Sequence, residues 1–179
     1  MARTPKLLDA AKLYEYALRT LSGRAHSLGE LREKLRRKAE HAQDIDPVLL
    51  KLKEAGYLND RKFAEGFTAS RLQNQGHGRM RVLRDLRQKR VAPKLAEQVT
   101  QEAFRDTDEA ELVEAYLARH YRSKNLPVFL AEEKNLASAF RRLRYAGFSP
   151  GTSIRVLKKF SAQADELESM DQTESEDCG

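Results

Sequence analysis

The chain has 179 residues, of which 34% carry a charge, and its mean hydropathy is −0.70. No segment approaches the run of about 20 apolar residues that a membrane-spanning helix needs, and the first residues lack the apolar run of a signal peptide, so we expect a cytoplasmic protein. The only cysteine is Cys178, which excludes an internal disulfide and suits a reducing compartment.

The formal net charge of +6 is unevenly distributed along the chain. Residues 1–105 hold 23 basic and 13 acidic side chains, whereas residues 161–179 hold seven acidic and no basic ones. A cationic body of this kind predicts an anionic partner such as nucleic acid or a nucleoprotein surface. The alternative is a protein that is basic without having such a partner.

Three basic segments share one pattern: an apolar residue stands four positions before a leucine, and arginine follows that leucine directly. The segments are Leu31–Lys38, Val82–Arg90 and Ala139–Tyr145. Their central leucines, at positions 35, 86 and 143, are separated by 51 and 57 residues. Self-similarity at such a period is typical of repeat proteins.

A proline follows each basic segment at the head of an apolar-periodic run. Pro47, Pro93 and Pro150 occupy this place, and proline is tolerated at the first position of a helix because its missing N–H would be unpaired there. Asp46 and Ser149 precede two of these prolines and are predicted N-caps.

Other local signals complete each predicted unit, in which a first helix precedes the basic helix and a proline-headed helix follows it. Ser27 and Glu30 form a capping box before the first basic helix. Gly56 is placed to end a helix in the left-handed conformation. The run Gly76-His-Gly78 predicts a turn, and residues 125–129 read as an insertion in the third unit.

The predicted fold is all-α, an elongated tandem array of three three-helix repeats. The predicted parts are an N-terminal extension (1–9), repeat 1 (10–58), repeat 2 (59–105), repeat 3 (106–162) and an acidic disordered tail (163–179). The tail is rich in acidic residues and serine and has little to bury.

Catalytic and metal-binding patterns are absent from the sequence. None of the four histidines pairs with another histidine, a cysteine or a carboxylate at metal-ligand spacing, and His120 falls on the apolar stripe of its helix, which predicts packing. Gly76-x-Gly78 lacks the lysine and the preceding strand of a phosphate-binding loop. We therefore expect a binding protein with no metal, cofactor or enzymatic activity.

The basic ends of the three central helices are the candidate binding faces. The candidates are Arg36, Arg37, Lys38, Arg79, Arg81, Arg84, Arg87, Lys89, Arg90, Arg141, Arg142 and Arg144. Cations near a helix C-terminus are stabilised by the helix dipole by about 0.3–1 kcal/mol. That effect explains one or two per helix, whereas dense clusters repeated three times favour binding to an anion.

Several motifs resemble one known family. The runs Glu54–Ala64, Ser70–Arg71, Gly76–Arg79 and Leu83–Lys89, with the opening segment Ala17–Leu35 and the ending Leu143–Ser149, are similar to those of the RecX regulators of the RecA recombinase. The resemblance covers roughly residues 10–160. The fixed order of Gly-Tyr-Leu-Asn-Asp, Phe-Ala and Gly-x-Gly makes the central stretch specific.

The resemblance implies a partner and an action. The partner would be the RecA filament, with single- or double-stranded DNA contacted directly or through RecA, and the action would be to restrain recombinase, ATPase and co-protease activities in DNA repair and the SOS response.

Many family members have glycine where Ala39 and Arg90 stand here, so these turns must form without it. No dimerisation seam is evident, and we expect a monomer. A stand-alone DNA-binding protein with helix-turn-helix-like units is the alternative.

Overall fold

The computed structural model describes residues 7–167 and shows a chain of helices. The helices are α1 (Ala10–Gly23), α2 (Leu28–Arg36), α3 (Ile45–Glu54), α4 (Asp60–Ser70), α5 (Arg79–Gln88), α6 (Pro93–Ala103), α7 (Glu109–His120), α8 (Leu126–Leu130), α9 (Glu133–Ala146) and α10 (Pro150–Leu157). Single 3₁₀ turns span Ala42–Asp44 and Ala162–Glu166, and a π-helical turn spans Arg71–Gln75.

The all-α prediction is confirmed over the described residues, where the only extended pairing is an isolated bridge between Leu8 and Ala39. No helix in residues 7–167 is long and apolar enough to cross a lipid bilayer. Most of the predicted extension (1–9) and of the predicted acidic tail (163–179) lies outside the described residues, as does Cys178.

The described chain divides into two compact units, and the division falls inside three helices. Unit 1 comprises residues 7–67 and 85–99, and unit 2 comprises residues 68–84 and 100–167. The chain passes from one unit to the other within α4, α5 and α6. Repeat 2 therefore contributes to both units, and the repeat boundaries at residues 58 and 105 stay predictions.

The core of unit 1 is formed by the apolar faces of α1, α2 and α3. Leu13 and Ala17 of α1 pack with Leu31 and Leu35 of α2 and with Leu52 of α3, and all five side chains are fully buried. The i, i+4 spacing within α1 and α2 places these pairs on one helix face. Full burial of a leucine side chain stabilises the fold by about 1.5–3 kcal/mol.

The core of unit 2 is formed by α7, α9 and α10 around Phe148, whose side chain is fully buried. Ser149 caps α10 as predicted, since its side chain accepts a hydrogen bond from the Thr152 N–H at 3.3 Å. The Glu109 carboxylate in turn accepts hydrogen bonds from the Ser149 N–H at 2.8 Å and its hydroxyl at 2.5 Å. The insertion predicted at residues 125–129 forms most of the short helix α8.

The predicted start of α3 was wrong. The helix begins at Ile45, so Pro47 is its third residue and Asp46 lies inside it rather than capping it. The cause is the preceding 3₁₀ turn, in which the Ile45 N–H donates to the Ala42 carbonyl and so leads the chain directly into the helix. Proline is still tolerated, because none of the first four N–H groups of a helix has an intrahelical partner. Pro93 and Pro150 begin α6 and α10 as predicted.

The turn after α5 forms without glycine because Arg90 itself adopts the left-handed conformation. Arg90 has φ +57°, and within residues 7–167 it is the only non-glycine residue with positive φ. Gly29 makes this turn possible, because a Cβ there would lie 2.5 Å from the Arg90 carbonyl oxygen. The Ser27 hydroxyl also donates to the Lys89 carbonyl. Ala39, the other position without glycine, does not adopt positive φ.

Replacing Arg90 with glycine should therefore stabilise unit 1. A left-handed residue other than glycine costs about 1–2 kcal/mol, and the exposed ion pair lost with Arg90 contributes about 0–1 kcal/mol. We expect Arg90→Gly to raise the free energy of unfolding by about 1 kcal/mol in urea denaturation. Arg37→Gly is the matched control. Arg37 has φ −78°, so glycine there should lower the free energy of unfolding. A loss of stability in Arg90→Gly would contradict the strained turn.

Candidate nucleic-acid interface

The basic segment at the end of α2 is partly neutralised within unit 1. Arg36 Nη1 lies 3.1 Å from the Glu33 carboxylate, and Arg90 Nη2 approaches the same carboxylate to 3.7 Å. Arg37 and Lys38 have no side-chain partner among the described residues. Exposed pairs of this kind contribute only about 0–1 kcal/mol each, but they reduce the positive field of the segment.

The cations at the end of α5 are paired with carboxylates as well. Arg87 Nη2 lies 2.9 Å from Glu97, and Lys89 Nζ lies 3.1 Å from Glu30. The Glu30 side chain is only 14% exposed and also accepts a hydrogen bond from Arg24 at 3.3 Å. Burial opposes the ionisation of Glu30, but the hydrogen bonds from Arg24 and Lys89 outweigh it and hold the pKa of this carboxyl below its usual range. Lys89 therefore has a structural role.

The predicted capping box forms only in part. The Ser27 side chain accepts a hydrogen bond from the Glu30 N–H at 3.0 Å, which is one half of the motif. The other half does not form, because the Glu30 carboxylate points to Arg24 and Lys89 rather than back to the Ser27 N–H. Charged partners attract a carboxylate more strongly than a neutral backbone amide does.

In unit 2 the end of α9 meets the start of α5. The Gly78 N–H donates to the Ala146 carbonyl at 2.9 Å, and the Met80 N–H donates to the Gly147 carbonyl at 3.1 Å. These are the groups that a helix start and a helix end leave without intrahelical partners. A Cβ on Gly78 would lie 2.4 Å from the Gly147 carbonyl oxygen, and one on Gly147 would lie 2.1 Å from the Arg81 nitrogen. The contact therefore requires glycine at both positions.

This backbone contact brings two arginines of α5 against Tyr145 of α9. The Arg81 guanidinium carbon lies 4.5 Å from the centre of the Tyr145 ring, and that of Arg84 lies 5.3 Å from it. Both guanidinium groups also donate to the Tyr145 carbonyl, at 3.5 Å and 3.2 Å respectively. Cation–π contacts at exposed sites contribute about 0.5–1 kcal/mol. The ring is therefore held in place although it is 67% exposed.

Tyr145 borders a groove of about 490 Å³, which we call the Tyr145 groove. Its lining residues are His77, Arg81, Tyr116, Ser138, Arg141, Arg142, Tyr145 and Ala146. Among the described residues the lining contains three arginines and no carboxylate. Within residues 7–167 the Arg141 guanidinium has no hydrogen-bond or ion-pair partner. The groove is thus suited to an anion with an aromatic or planar part.

Arg142 is oriented by His120. The Arg142 guanidinium contacts His120 Nε2, and the His120 ring stacks on Tyr116 with centroids 5.5 Å apart. Burial and the neighbouring Arg142 lower the pKa of His120, so near neutral pH the uncharged imidazole accepts the hydrogen bond. His120 thus has ring contacts, as its place on the apolar stripe suggested, but its side chain remains exposed.

Two candidate residues remain: Arg79 is exposed to solvent, and Arg144 contacts the backbone of the fold. Arg79 is exposed and has no side-chain partner among the described residues. Arg144 is half-buried and donates to the Phe148 carbonyl at 3.0 Å, which stabilises the turn after α9. Sequence reasoning missed Tyr145 and Tyr116 as parts of the site. The signal for Tyr145 was available, because it ends the third basic segment.

Residues 7–167 contain no group of three histidine, cysteine, aspartate or glutamate side chains placed to hold a metal ion. The candidate site that the geometry offers is the Tyr145 groove, to which two different basic segments contribute.

The structure thus defines a class of protein: an all-α array of three-helix units with an arginine-lined groove. Family models described as "RecX, first three-helix domain" and "RecX, second three-helix domain" match residues 14–52 and 59–99. The regulatory protein RecX of Chlorobaculum tepidum is 33% identical over 159 residues, which cover 86% of this chain and 94% of that protein. The RecX of Amycolatopsis mediterranei is 31% identical over 150 residues, covering 83% and 82%.

A solved structure agrees with the fold. The crystal structure of RecX from Lactobacillus salivarius superposes with a TM-score of 0.64 at 21% identity, over 84% of this chain and 96% of that one. The chain belongs to the RecX family. The resemblance seen in the sequence and the predicted array of three-helix repeats are both confirmed.

The pairing of Lys89 with Glu30 can be tested by removing the cation. Lys89→Met should lower the free energy of unfolding by about 1.5–3 kcal/mol, the usual effect of losing a hydrogen bond to a charged group. Because the folded-state pKa of Glu30 is lowered, its stabilisation is complete above its ordinary value of 4.5 and is lost as the pH falls below that value. Lys38→Met is the control, since the Lys38 ammonium group has no partner among the described residues. Equal effects of the two substitutions in urea denaturation would argue against the structural role.

The contact between α5 and α9 can be tested at its glycines. Gly147 has φ +91°, and a Cβ there would overlap the backbone of Arg81. Gly147→Ala should therefore lower the free energy of unfolding by at least about 2 kcal/mol. Gly151→Ala is the matched control, because Gly151 is helical and has open space, so alanine should raise stability by about 0.5–1 kcal/mol. Chemical denaturation followed by circular dichroism would measure both. A tolerated Gly147→Ala would disprove the close approach.

Proposed function

We propose that this protein binds the RecA filament on DNA and restrains its recombinase, ATPase and co-protease activities in DNA repair and the SOS response. It would act in the cytoplasm as a monomer and by binding alone, without catalysis. The observation that carries the proposal is membership of the RecX family, with 94% of the Chlorobaculum tepidum regulator covered by this chain.

The Tyr145 groove supports this proposal because it is the described basic surface best suited to a phosphate backbone. Within residues 7–167 the Arg141 guanidinium has no partner, and none of the described residues that line the groove is a carboxylate. Guanidinium groups bind phosphate oxygens with two parallel hydrogen bonds, which is stronger than a single contact. Arg36, Arg87, Lys89 and Arg90, by contrast, are paired with carboxylates within unit 1 and are weaker candidates.

Phosphate contacts predict a salt dependence. Each phosphate neutralised lowers the logarithm of the affinity by about 0.9 per tenfold rise in salt on duplex DNA, and by about 0.7 on single strands. Binding through Arg81, Arg141 and Arg142 would therefore weaken steeply with salt. Arg79 and Arg84, which are exposed on the same unit, would add to the field around the groove.

The proposal predicts that reversing the charge of the groove weakens inhibition of RecA. The double substitution Arg141→Glu with Arg142→Glu should raise the concentration needed for half-inhibition of DNA-dependent ATP hydrolysis by more than tenfold, because each lost charged hydrogen bond contributes about 1.5–3 kcal/mol. RecA ATPase and strand-exchange assays at fixed salt, with the protein at stoichiometric levels, would measure this.

The matched control is Arg19→Glu with Arg155→Glu, which changes the net charge equally at exposed positions outside the groove. Equal weakening by both pairs would show that only net charge matters. If the wild-type protein leaves RecA ATPase and strand exchange unaltered, the proposed function fails. A sequence preference for duplex DNA in the absence of RecA would instead favour a stand-alone DNA-binding protein.

A further inference from the structure

We propose that the Tyr145 groove is a site for single-stranded nucleic acid, in which an unpaired base stacks on Tyr145 while the flanking phosphates bind Arg141 and Arg142. The inference deepens the proposed function by naming the ligand of this groove, and it rests on that function for its biological setting. A single strand presents base faces and phosphates together, whereas a duplex presents phosphates with its bases already stacked.

The first argument is the state of the Tyr145 ring. It is 67% exposed, yet two guanidinium groups within 5.3 Å of its centre restrict where it lies. Tyr57 is comparably exposed at 59%, but no cation lies over its ring among the described residues. A ring held in advance loses little conformational freedom when a ligand binds. Tyr145 is thus a stacking platform formed before the base arrives.

The second argument is the helical spacing of the cations beside it. Arg141 and Arg142 precede Tyr145 by four and three positions in α9, so all three side chains lie on one face of the helix. Arg81 and Arg84 approach the same ring from α5. A base on Tyr145 would therefore lie close to the Arg141 and Arg142 guanidinium groups, which can bind the flanking phosphates, while Arg81 and Arg84 hold the ring.

The third argument is the composition of the groove. Its lining combines aromatic rings with arginines, the composition that tracks unpaired strands in proteins that bind them without sequence preference. An acidic peptide would satisfy the arginines but would offer no base to the exposed ring.

The absence of tryptophan from the chain makes a direct test possible. Tyr145→Trp introduces a single tryptophan that retains the stacking surface, and its fluorescence reports on stacking. We expect quenching on titration with an oligothymidylate of about 20 nucleotides. A strand of equal length made of abasic sites keeps the phosphates but lacks the bases, so it should bind more weakly and leave the fluorescence unchanged, and a duplex should quench little.

Affinity measurements on otherwise wild-type protein provide the second test. Stacking of one base contributes about 1–3 kcal/mol, so Tyr145→Ala should weaken binding of the oligothymidylate by about 5- to 150-fold in fluorescence anisotropy. Tyr145→Phe keeps the ring and should stay within about twofold. Tyr57→Ala is the matched control at an equally exposed tyrosine in unit 1 and should leave the affinity unchanged. Circular dichroism melts would verify that each variant is folded.

Three outcomes would overturn the inference: an unchanged affinity in Tyr145→Ala, equal affinity of the wild-type protein for abasic and thymidylate strands, or equal displacement of the strand by a polyglutamate peptide of matched charge. RecA ATPase assays on the same variants keep the two proposals separate. Inhibition of RecA without single-strand binding would leave the proposed function intact and reject the groove ligand. Single-strand binding through Tyr145 without inhibition of RecA would support the groove ligand and reject the proposed function.

Discussion

The geometry of the candidate site in unit 2 depends on one backbone contact. The unpaired N–H groups at the start of α5 find their acceptors in the unpaired carbonyls at the end of α9. The helices approach so closely that Gly78 and Gly147 have no room for a side chain. This contact sets the distance between α5 and α9, and therefore also the distance from Arg81 to Tyr145. The shape of the Tyr145 groove thus depends on backbone hydrogen bonds between the two helix ends.

Unit 1 has a similar close contact between a helix start and the turn after another helix, but only the helix start has glycine there. Gly29 at the start of α2 makes room for the turn after α5, but the residue that takes the left-handed conformation is Arg90. The strain is offset by neighbouring contacts, since the Ser27 hydroxyl and the Glu30 carboxylate both bind Lys89. Lys89, which the sequence placed on a candidate binding face, thus stabilises unit 1.

Local signals in the sequence were sufficient for most of the helices and for the turns at Gly56 and Gly76, both of which have positive φ. They failed at the start of α3, because a 3₁₀ turn has no comparable signature. The candidate site was only half predictable. The basic segments are local patterns, but whether a cation is neutralised depends on distant partners, and Glu30 lies 59 residues from Lys89. Patterns of sequence spacing do not predict a contact between residues so far apart in the chain. The meeting of Tyr145 with Arg81 is likewise a product of tertiary structure.

The discontinuity of unit 1 has a consequence for the way the protein is made. Its residues come from two stretches, 7–67 and 85–99, with a piece of unit 2 between them. During synthesis on the ribosome, the first three helices emerge and collapse on their apolar faces well before Lys89 and Arg90 exist to meet Ser27 and Gly29. Domains ordinarily fold in the order in which they are translated. Here the core of α1–α3 can form early, whereas the contacts of Ser27 and Gly29 with Lys89 and Arg90 must wait until the second stretch of unit 1 has left the exit tunnel.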